Sequence, residues 1–275
     1  MLSSPSLFLQ RGTLIGCVCA LSWIGAHAFA QAPASPAPSA GKPATEALPT
    51  ADPAAAAQRI KQTGPGQYEL GEIKFSSITR EVRVPTVVNM REGAVEFALV
   101  HETGKTHESL LKMTASAVDL QVALLLCNYQ AGAKGLVSDY EKDPEIIKTM
   151  EPTAPKTPGA NRLHIAVEWQ QDGKTQHMPL QQWMIETPTK KPPPAPRHWL
   201  FNGSTVQSAG FAAELLGNTI AIYIDRTAVI NWPGLGNRND DNWLPNTAVI
   251  PKEETPITLI ISPEATAKTE TPTKP

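Results

Sequence analysis

The chain has 275 residues, a formal charge of −2 and 26 prolines, six of which fall between residues 33 and 53. A near-neutral charge gives no electrostatic reason to expect binding to nucleic acid or to an anionic membrane surface. The flanks 31–64 and 264–275 contain few bulky apolar residues, so we predict a disordered Pro/Ala-rich linker and a disordered tail. The segment between them, 65–263, has the length of one domain.

Residues 1–30 have the pattern of a secretory signal peptide. Arg11 is the only charge, and an apolar run and small residues ending at Ala30 follow it. We therefore expect cleavage before Gln31 and a periplasmic or extracellular protein. Lipoprotein anchoring at Cys17 is the weaker alternative because the apolar stretch before that cysteine is short. The run is also shorter than a membrane-spanning helix needs, so no transmembrane span is expected in the mature chain.

Loss of this leader would leave Cys127 as the only cysteine. A single cysteine cannot form an internal disulfide. Its apolar neighbours predict a small buried residue and argue against a catalytic thiol.

The segment from Val95 to Leu111 predicts a β-hairpin. Apolar and polar residues alternate in its first half, a turn signal at Gly104 follows, and a second apolar run closes it. A three-residue loop at Gly104 avoids a positive φ at a β-branched residue. With that loop, His101 and His107 are predicted to share the core-facing side of the hairpin.

Residues 116–130 predict the main helix. Apolar residues recur at helical spacing from Val118 to Tyr129, and Ser116 is suited to cap the helix N-terminus. Gly132 follows at the end.

Most other periodic segments alternate with a period of two, which is typical of strands. Asp172-Gly173 is a turn signal between two of them. The predicted fold is a single α+β domain, a mostly antiparallel β-sheet with one main helix and disordered flanks. The predicted strands are 67–76, 78–84, 162–169, 176–178, 198–201, 219–225, 228–231 and 255–262.

Several of these segments match a known family in order and spacing. The matching parts are Gly104-Lys105-Thr106-His107-Glu108-Ser109-Leu110-Leu111, the helix that follows, Val167-Glu168-Trp169 with Trp183, Trp199-Leu200-Phe201-Asn202-Gly203-Ser204 and Thr255-Pro256-Ile257-Thr258-Leu259. Over about residues 67 to 263, the chain resembles the YdjY domain family of exported bacterial proteins. The resemblance implies a cell-envelope setting and no established substrate. A ferredoxin-type label used for some members does not fit, because the chain lacks the cysteines that a cluster needs.

Two kinds of metal site are open alternatives. His101 and His107, with His164 from another strand, have the imidazole ligands that zinc prefers. The oxygen-rich loop 237–242, with Asp240 and Asp241, could hold calcium, although it does not match the EF-hand pattern.

Each metal site has a competing interpretation. The histidines would instead make structural hydrogen bonds, and the loop 237–242 would be solvated without a metal. Trp232 and Trp243 flank the loop and would serve either a ligand surface or local packing. Ser204 lacks the sequence context of a hydrolase nucleophile.

The first hypothesis for function is a non-enzymatic envelope module, without a cofactor, that binds an envelope protein or a small ligand through His101, His107 and the loop 237–242. The alternative is a zinc-type hydrolase with His107 as a ligand and Glu108 as the general base. The two hypotheses make different demands on the structure, because a zinc enzyme needs three metal ligands that converge on one point.

Overall fold

A computed structural model describes residues 58–132, 156–157, 159–193, 198–233 and 236–263. All of them lie within one unit of the chain, Ala47–Pro275. The predicted leader, most of the predicted linker and the predicted tail fall outside these residues. Among the described helices, none is both long and apolar enough to cross a membrane.

The described residues form sixteen strands, two α-helices and three 3-10 helices. The helices are α1 Ala117–Leu126 and α2 Ala212–Leu216, and the 3-10 helices are Thr106–Glu108, Leu180–Trp183 and Asp240–Asn242. The strands are β1 Ile60–Gly64, β2 Gln67–Leu70, β3 Ile73–Ser76, β4 Val82–Val88, β5 Phe97–His101, β6 Ser109–Met113, β7 Arg162–Gln171, β8 Lys174–Pro179, β9 Met184–Glu186, β10 Trp199–Phe201, β11 Val206–Gln207, β12 Gly210–Phe211, β13 Asn218–Ala221, β14 Ile230–Asn231, β15 Trp243–Pro245 and β16 Pro256–Pro263.

Eight of the strands close into a barrel. Their order is β4, β16, β7, β10, β14, β13, β5 and β6, and β6 pairs back with β4. The β5–β6 and β13–β14 pairs are parallel, and the others are antiparallel. The predicted α+β fold of one sheet with one main helix is therefore wrong, because the protein is mostly β and its sheet is closed. Alternation of side chains identifies strands but not their partners.

The predicted hairpin at β5 and β6 is also wrong, because the two strands run parallel with Phe97 opposite Ser109. Residues 102–108 carry the chain from the end of β5 back to its start, where the amide of Glu96 donates to the carbonyl of Glu108 at 2.9 Å. Parallel partners usually need a longer crossover. Here a short one suffices because an extended chain of this length reaches about 23 Å, more than the roughly 17 Å of β5.

The return segment passes directly against Gly217, the residue that ends α2. The amide of His101 donates to the carbonyl of Gly217 at 2.9 Å. A Cβ on Gly217 would lie 2.7 Å from the Cα of Gly104, and Gly217 has a φ of 72°. Only glycine fits at position 217 without strain. A residue with a side chain is disfavoured at positive φ, and the contact with Gly104 leaves no space for a Cβ.

Helix α1 begins as predicted and ends earlier than predicted. The hydroxyl of Ser116 accepts the amides of Val118 at 3.1 Å and Asp119 at 3.3 Å, which confirms the predicted N-cap. The helix ends at Leu126, and the guanidinium of Arg80 donates to the carbonyl of Cys127 at 2.8 Å. A cation at this end also interacts favourably with the helix dipole.

An ion pair joins the beginning of the described chain to α1. Arg59 donates to both carboxylate oxygens of Asp119, whose side chain is 4% exposed. Strand β1 follows at Ile60–Gly64, a stretch that the sequence pattern assigned to the end of the linker.

Two predicted strand pairs have different outcomes. Asp172 and Gly173, with φ of 51° and 73°, turn β7 back into β8, as the turn signal predicted. Residues 67–76, predicted as one strand, instead form the pair β2 and β3 because Gly71, with a φ of 57°, turns the chain.

The core contains an aromatic cluster. The rings of Trp199 and Trp232 lie 5.0 Å apart edge to face, and those of Trp232 and Trp243 lie 6.2 Å apart. All three side chains are buried. This confirms the packing interpretation of Trp232 and Trp243 and removes them as a ligand surface.

Replacing Gly217 with alanine should destabilise the fold by about 2–5 kcal/mol, the sum of a positive φ and an overlap with Gly104. Gly173 is a matched control, because it has a φ of 73° and no atom within 4 Å of the place where a Cβ would lie. Gly173→Ala should cost only about 1–2 kcal/mol. Urea unfolding of both variants measures the two losses. Equal losses would show that the contact with Gly104 does not constrain the fold.

Candidate functional site

His101 lies at the end of β5, where its ring takes part in a turn. Its Nδ1 accepts the amide of Thr103 at 3.2 Å and lies 2.7 Å from the hydroxyl of the same residue. Because a backbone N–H can only donate, Nδ1 must act as an acceptor here. That nitrogen is therefore occupied by a structural contact, as the interpretation of a satisfied histidine expects.

His107 lies in the return segment near the other end of β5. Its side chain is 73% exposed, and its Nε2 is 3.6 Å from Oε1 of Glu108. Glu108 is level with Glu96 at the start of β5, whereas His101 is five residues further along, roughly 16 Å by strand rise. The structure does not bring the two histidines together.

A charged cluster surrounds this exposed histidine. The ammonium of Lys105 donates to Oε2 of Glu96 at 3.0 Å and to Oε2 of Glu108 at 3.2 Å, and it lies 5.4 Å from the centre of the Phe97 ring. Partial burial lowers the pKa of Lys105, but the hydrogen bonds and charges of the two glutamates outweigh it, so the pKa is raised.

The pKa of Glu108 is lowered by the same contacts. Partial burial raises it, and hydrogen bonds with Lys105 and Glu96, together with the charges of Lys105 and His107, outweigh that effect. Glu108 is therefore a weaker base than an ordinary glutamate, which disfavours the role that the hydrolase hypothesis gives it.

The third predicted zinc ligand lies elsewhere on the barrel. His164 is on β7, opposite Ser262 of β16, and three strands separate β7 from β5. Within the part of the chain that the structure describes, no group of three or more His, Cys, Asp or Glu side chains is placed to hold a metal ion.

Asp240 and Asp241 are exposed in the 3-10 helix Asp240–Asn242. Three oxygens of this loop already have structural partners: the side chains of Asn239 and Asp240 accept the amide of Asp241 at 3.1 Å, and the carbonyl of Asp241 accepts the hydroxyl of Thr187 at 2.8 Å. Asn237 is buried and donates to the carbonyl of Trp232 at 2.9 Å. The amide of Val95, just before β5, donates to the carbonyl of Trp243, so the loop borders the start of β5. His101 lies at the opposite end of that strand.

Cys127 is buried, as its neighbours predicted. Burial raises the pKa of its thiol from 9.0 to about 11, against smaller opposing effects of the Arg80 charge and of a backbone hydrogen bond with Ser76. A thiol in this state is a poor nucleophile.

A groove of about 450 Å³ lies on the outer face of the barrel, where β4, β6 and β16 meet. Pro256 pairs with Val87, and Val87 pairs with Lys112, so these three residues form a row across the strands. Pro85, Val87 and Pro256 give the groove an apolar floor.

Charged residues form the rim of this groove. Glu72 accepts the hydroxyl of Thr114 at 2.6 Å, and Glu254 accepts the ammonium of Lys112 at 2.6 Å. Glu102 also lines the groove, and its carboxylate has no hydrogen bond or ion pair to the residues that the structure describes. The rim thus has three carboxylates and one ammonium.

Pro85 stands where β4 changes its partner. On one side β4 pairs with β3 at Arg83 and then with β6 from Val87, which leaves Pro85 between the two ladders. On the other edge of β4, Pro85 still pairs with Thr258 of β16. Because proline has no N–H to donate, it fits a position that has no partner on the edge facing β3 and β6. This gap opens the groove at the branch of the sheet.

A family model for the YdjY domain matches residues 73–262, which is most of the chain. The chain belongs to the YdjY domain family. No curated protein and no solved structure matches it.

The residues that carry the resemblance have structural roles in this YdjY domain. Gly104 allows the return segment to contact Gly217. Asn202 donates to the carbonyl of Ala228 at 2.8 Å, and the hydroxyl of Ser204 donates to the carbonyl of Thr227 and accepts the amide of Ala213. These contacts hold the chain after β10 against the segment between β13 and β14, so Ser204 is a turn residue here.

The residues around the groove were not found by sequence patterns. Glu72, Glu102 and Glu254 come from three distant segments, and each looks like an ordinary exposed glutamate in its own context. Pro85 within an alternating run was the one local signal of an irregular strand.

Lys105→Met should raise the pKa of Glu108 towards or above its ordinary value of 4.5, because the hydrogen bond and the positive charge are lost while partial burial remains. A carbon-detected NMR titration of the Glu108 carboxyl measures the shift. Lys112→Met, which removes a lysine paired with Glu254, should leave it unchanged. An unchanged or lower pKa in Lys105→Met would contradict this electrostatic description.

With Cys17 and Cys19 replaced by serine, Cys127 should react with an aromatic disulfide reagent at pH 8 at least about 100-fold more slowly in the native than in the urea-unfolded protein. The pKa of about 11 and the burial of the thiol are the reasons. Because folding raises this pKa from 9.0, its contribution to stability is present below pH 9 and is lost as the pH rises towards about 11. Similar rates in the two states would show that the thiol is accessible.

Proposed function

We propose that this YdjY domain is an exported, non-enzymatic module of the cell envelope that binds a partner or ligand through the groove at β4, β6 and β16. The groove, with its apolar floor and charged rim, is the observation that carries the proposal. A concave surface with apolar walls and a few polar groups is the usual form of a binding site.

The side chains that could do chemistry support a binding role, because they have structural contacts. Nδ1 of His101 accepts a backbone amide, Ser204 holds a turn, and the pKa of the buried Cys127 thiol is raised. Glu108, the base of the hydrolase hypothesis, is paired with Lys105 and has a lowered pKa. The proposed binding surface thus differs from the histidine face that the sequence first indicated.

Export is supported by the leader pattern that ends at Ala30. A protein processed there would begin at Gln31, and a long Pro/Ala-rich segment would precede the barrel.

A photoreactive amino acid at Val87, on the groove floor, should form a covalent adduct with an envelope component when the protein is expressed in its native host. The same residue at Thr175, exposed on β8, is the control and should form none. Mass spectrometry identifies the adduct, and N-terminal sequencing of the same sample should give Gln31 as the first residue. Identical products from both positions, or no adduct from Val87, would contradict the proposal.

A further inference from the structure

The rim of the groove has an unbalanced negative charge. Among the described residues that line it, Lys112 is the only cation, and its ammonium is 2.6 Å from Glu254. Glu72 and Glu102 are therefore left without a cationic partner in the part of the chain that the structure describes. Both are exposed, so a ligand can reach them without displacing the protein's own side chains.

These two carboxylates gather at one end of β6. The amide of Glu102 donates to the carbonyl of Met113 at 2.9 Å, and Glu72 accepts the hydroxyl of Thr114, the next residue along the chain. Glu72 and Glu102 therefore both border the end of β6, where they form part of the rim of the groove.

The floor and the rim together match one kind of side chain. Lysine and arginine place a long apolar stem on apolar surface and keep a charged head in water. The exposed rings of Pro85 and Pro256 would support such a stem, and the carboxylates of Glu72 and Glu102 would face its charge. An anionic ligand would meet like charges instead, which are repulsive.

The row from Pro256 through Val87 to Lys112 gives the groove length as well as charge. It crosses three neighbouring strands, a distance of roughly 10 Å, which fits a few residues of an extended chain. A peptide segment fills this length better than a single small cation.

Building on the proposed function, we infer that the groove binds an extended, lysine- or arginine-bearing segment of a partner protein, with Glu72 and Glu102 as the residues that select the positive charge. The basic side chain lies on the floor formed by Pro85, Val87 and Pro256. Since the carboxylates are exposed, the attraction is screened by salt and is strongest at low ionic strength.

The test uses two fluorescein-labelled peptides, Lys-Ala-Lys-Ala-Lys and Glu-Ala-Glu-Ala-Glu, and fluorescence anisotropy with the purified protein at low ionic strength. The lysine peptide should bind saturably, and the glutamate peptide should not bind. The double variant Glu72→Gln with Glu102→Gln should weaken binding of the lysine peptide at least about tenfold. These substitutions are nearly isosteric and exposed, and a thermal unfolding curve checks that the fold is retained.

A second double variant controls for net charge. Glu92→Gln with Glu253→Gln removes the same two charges from a neighbouring hollow that also contains Arg91 and Lys252. It should change the affinity for the lysine peptide less than about twofold. Equal weakening by both double variants would mean unspecific attraction and would overturn the inference.

Absence of saturable binding to the wild-type protein, or unaltered binding to the Glu72/Glu102 variant, would also overturn it. These failures are distinct from failure of the proposed function. An adduct at Val87 in the crosslinking experiment, together with no preference for the lysine peptide, would retain the groove as a binding site and remove its selection of basic segments.

Discussion

The parallel pairing of β5 with β6 across a short return segment is the constraint on which the rest of the structure depends. It places β6 beside β4, so that the sheet closes into a barrel. It also forces the return segment against the chain after α2, where only two glycine backbones fit together at Gly104 and Gly217. The closed sheet then surrounds a core of aliphatic and tryptophan side chains.

The same constraint decides where the polar chemistry lies. Because the chain returns to the start of β5 before β6 begins, His107 and Glu108 lie at one end of β5 and His101 at the other. Because β6 takes over from β3 as the partner of β4, a gap remains at Pro85, and the groove opens there. A closed barrel therefore separates the histidines that the sequence placed together and brings together glutamates that are far apart in the chain.

Local features of the fold could be predicted because they depend on neighbouring residues. The cap at Ser116, the turn at Asp172-Gly173 and the burial of Cys127 are examples. The direction of β6 could not be predicted in this way, since Gly104 has the appearance of a hairpin turn and alternation is the same in parallel and antiparallel strands. The groove was missed because it depends on the β4–β6 pairing, which no local pattern records.

Inter-strand NOEs measured by NMR test the parallel order of β5 and β6 most directly. The parallel arrangement predicts contacts between backbone protons of Leu99 and Leu111 and of His101 and Met113, whereas Phe97 lies opposite Ser109 in either arrangement. A hairpin with its three-residue loop ending at Gly104 would instead place His101 opposite Lys105 and Val95 opposite Leu111. Contacts of that second kind would contradict the barrel, the separation of the histidines and the origin of the groove.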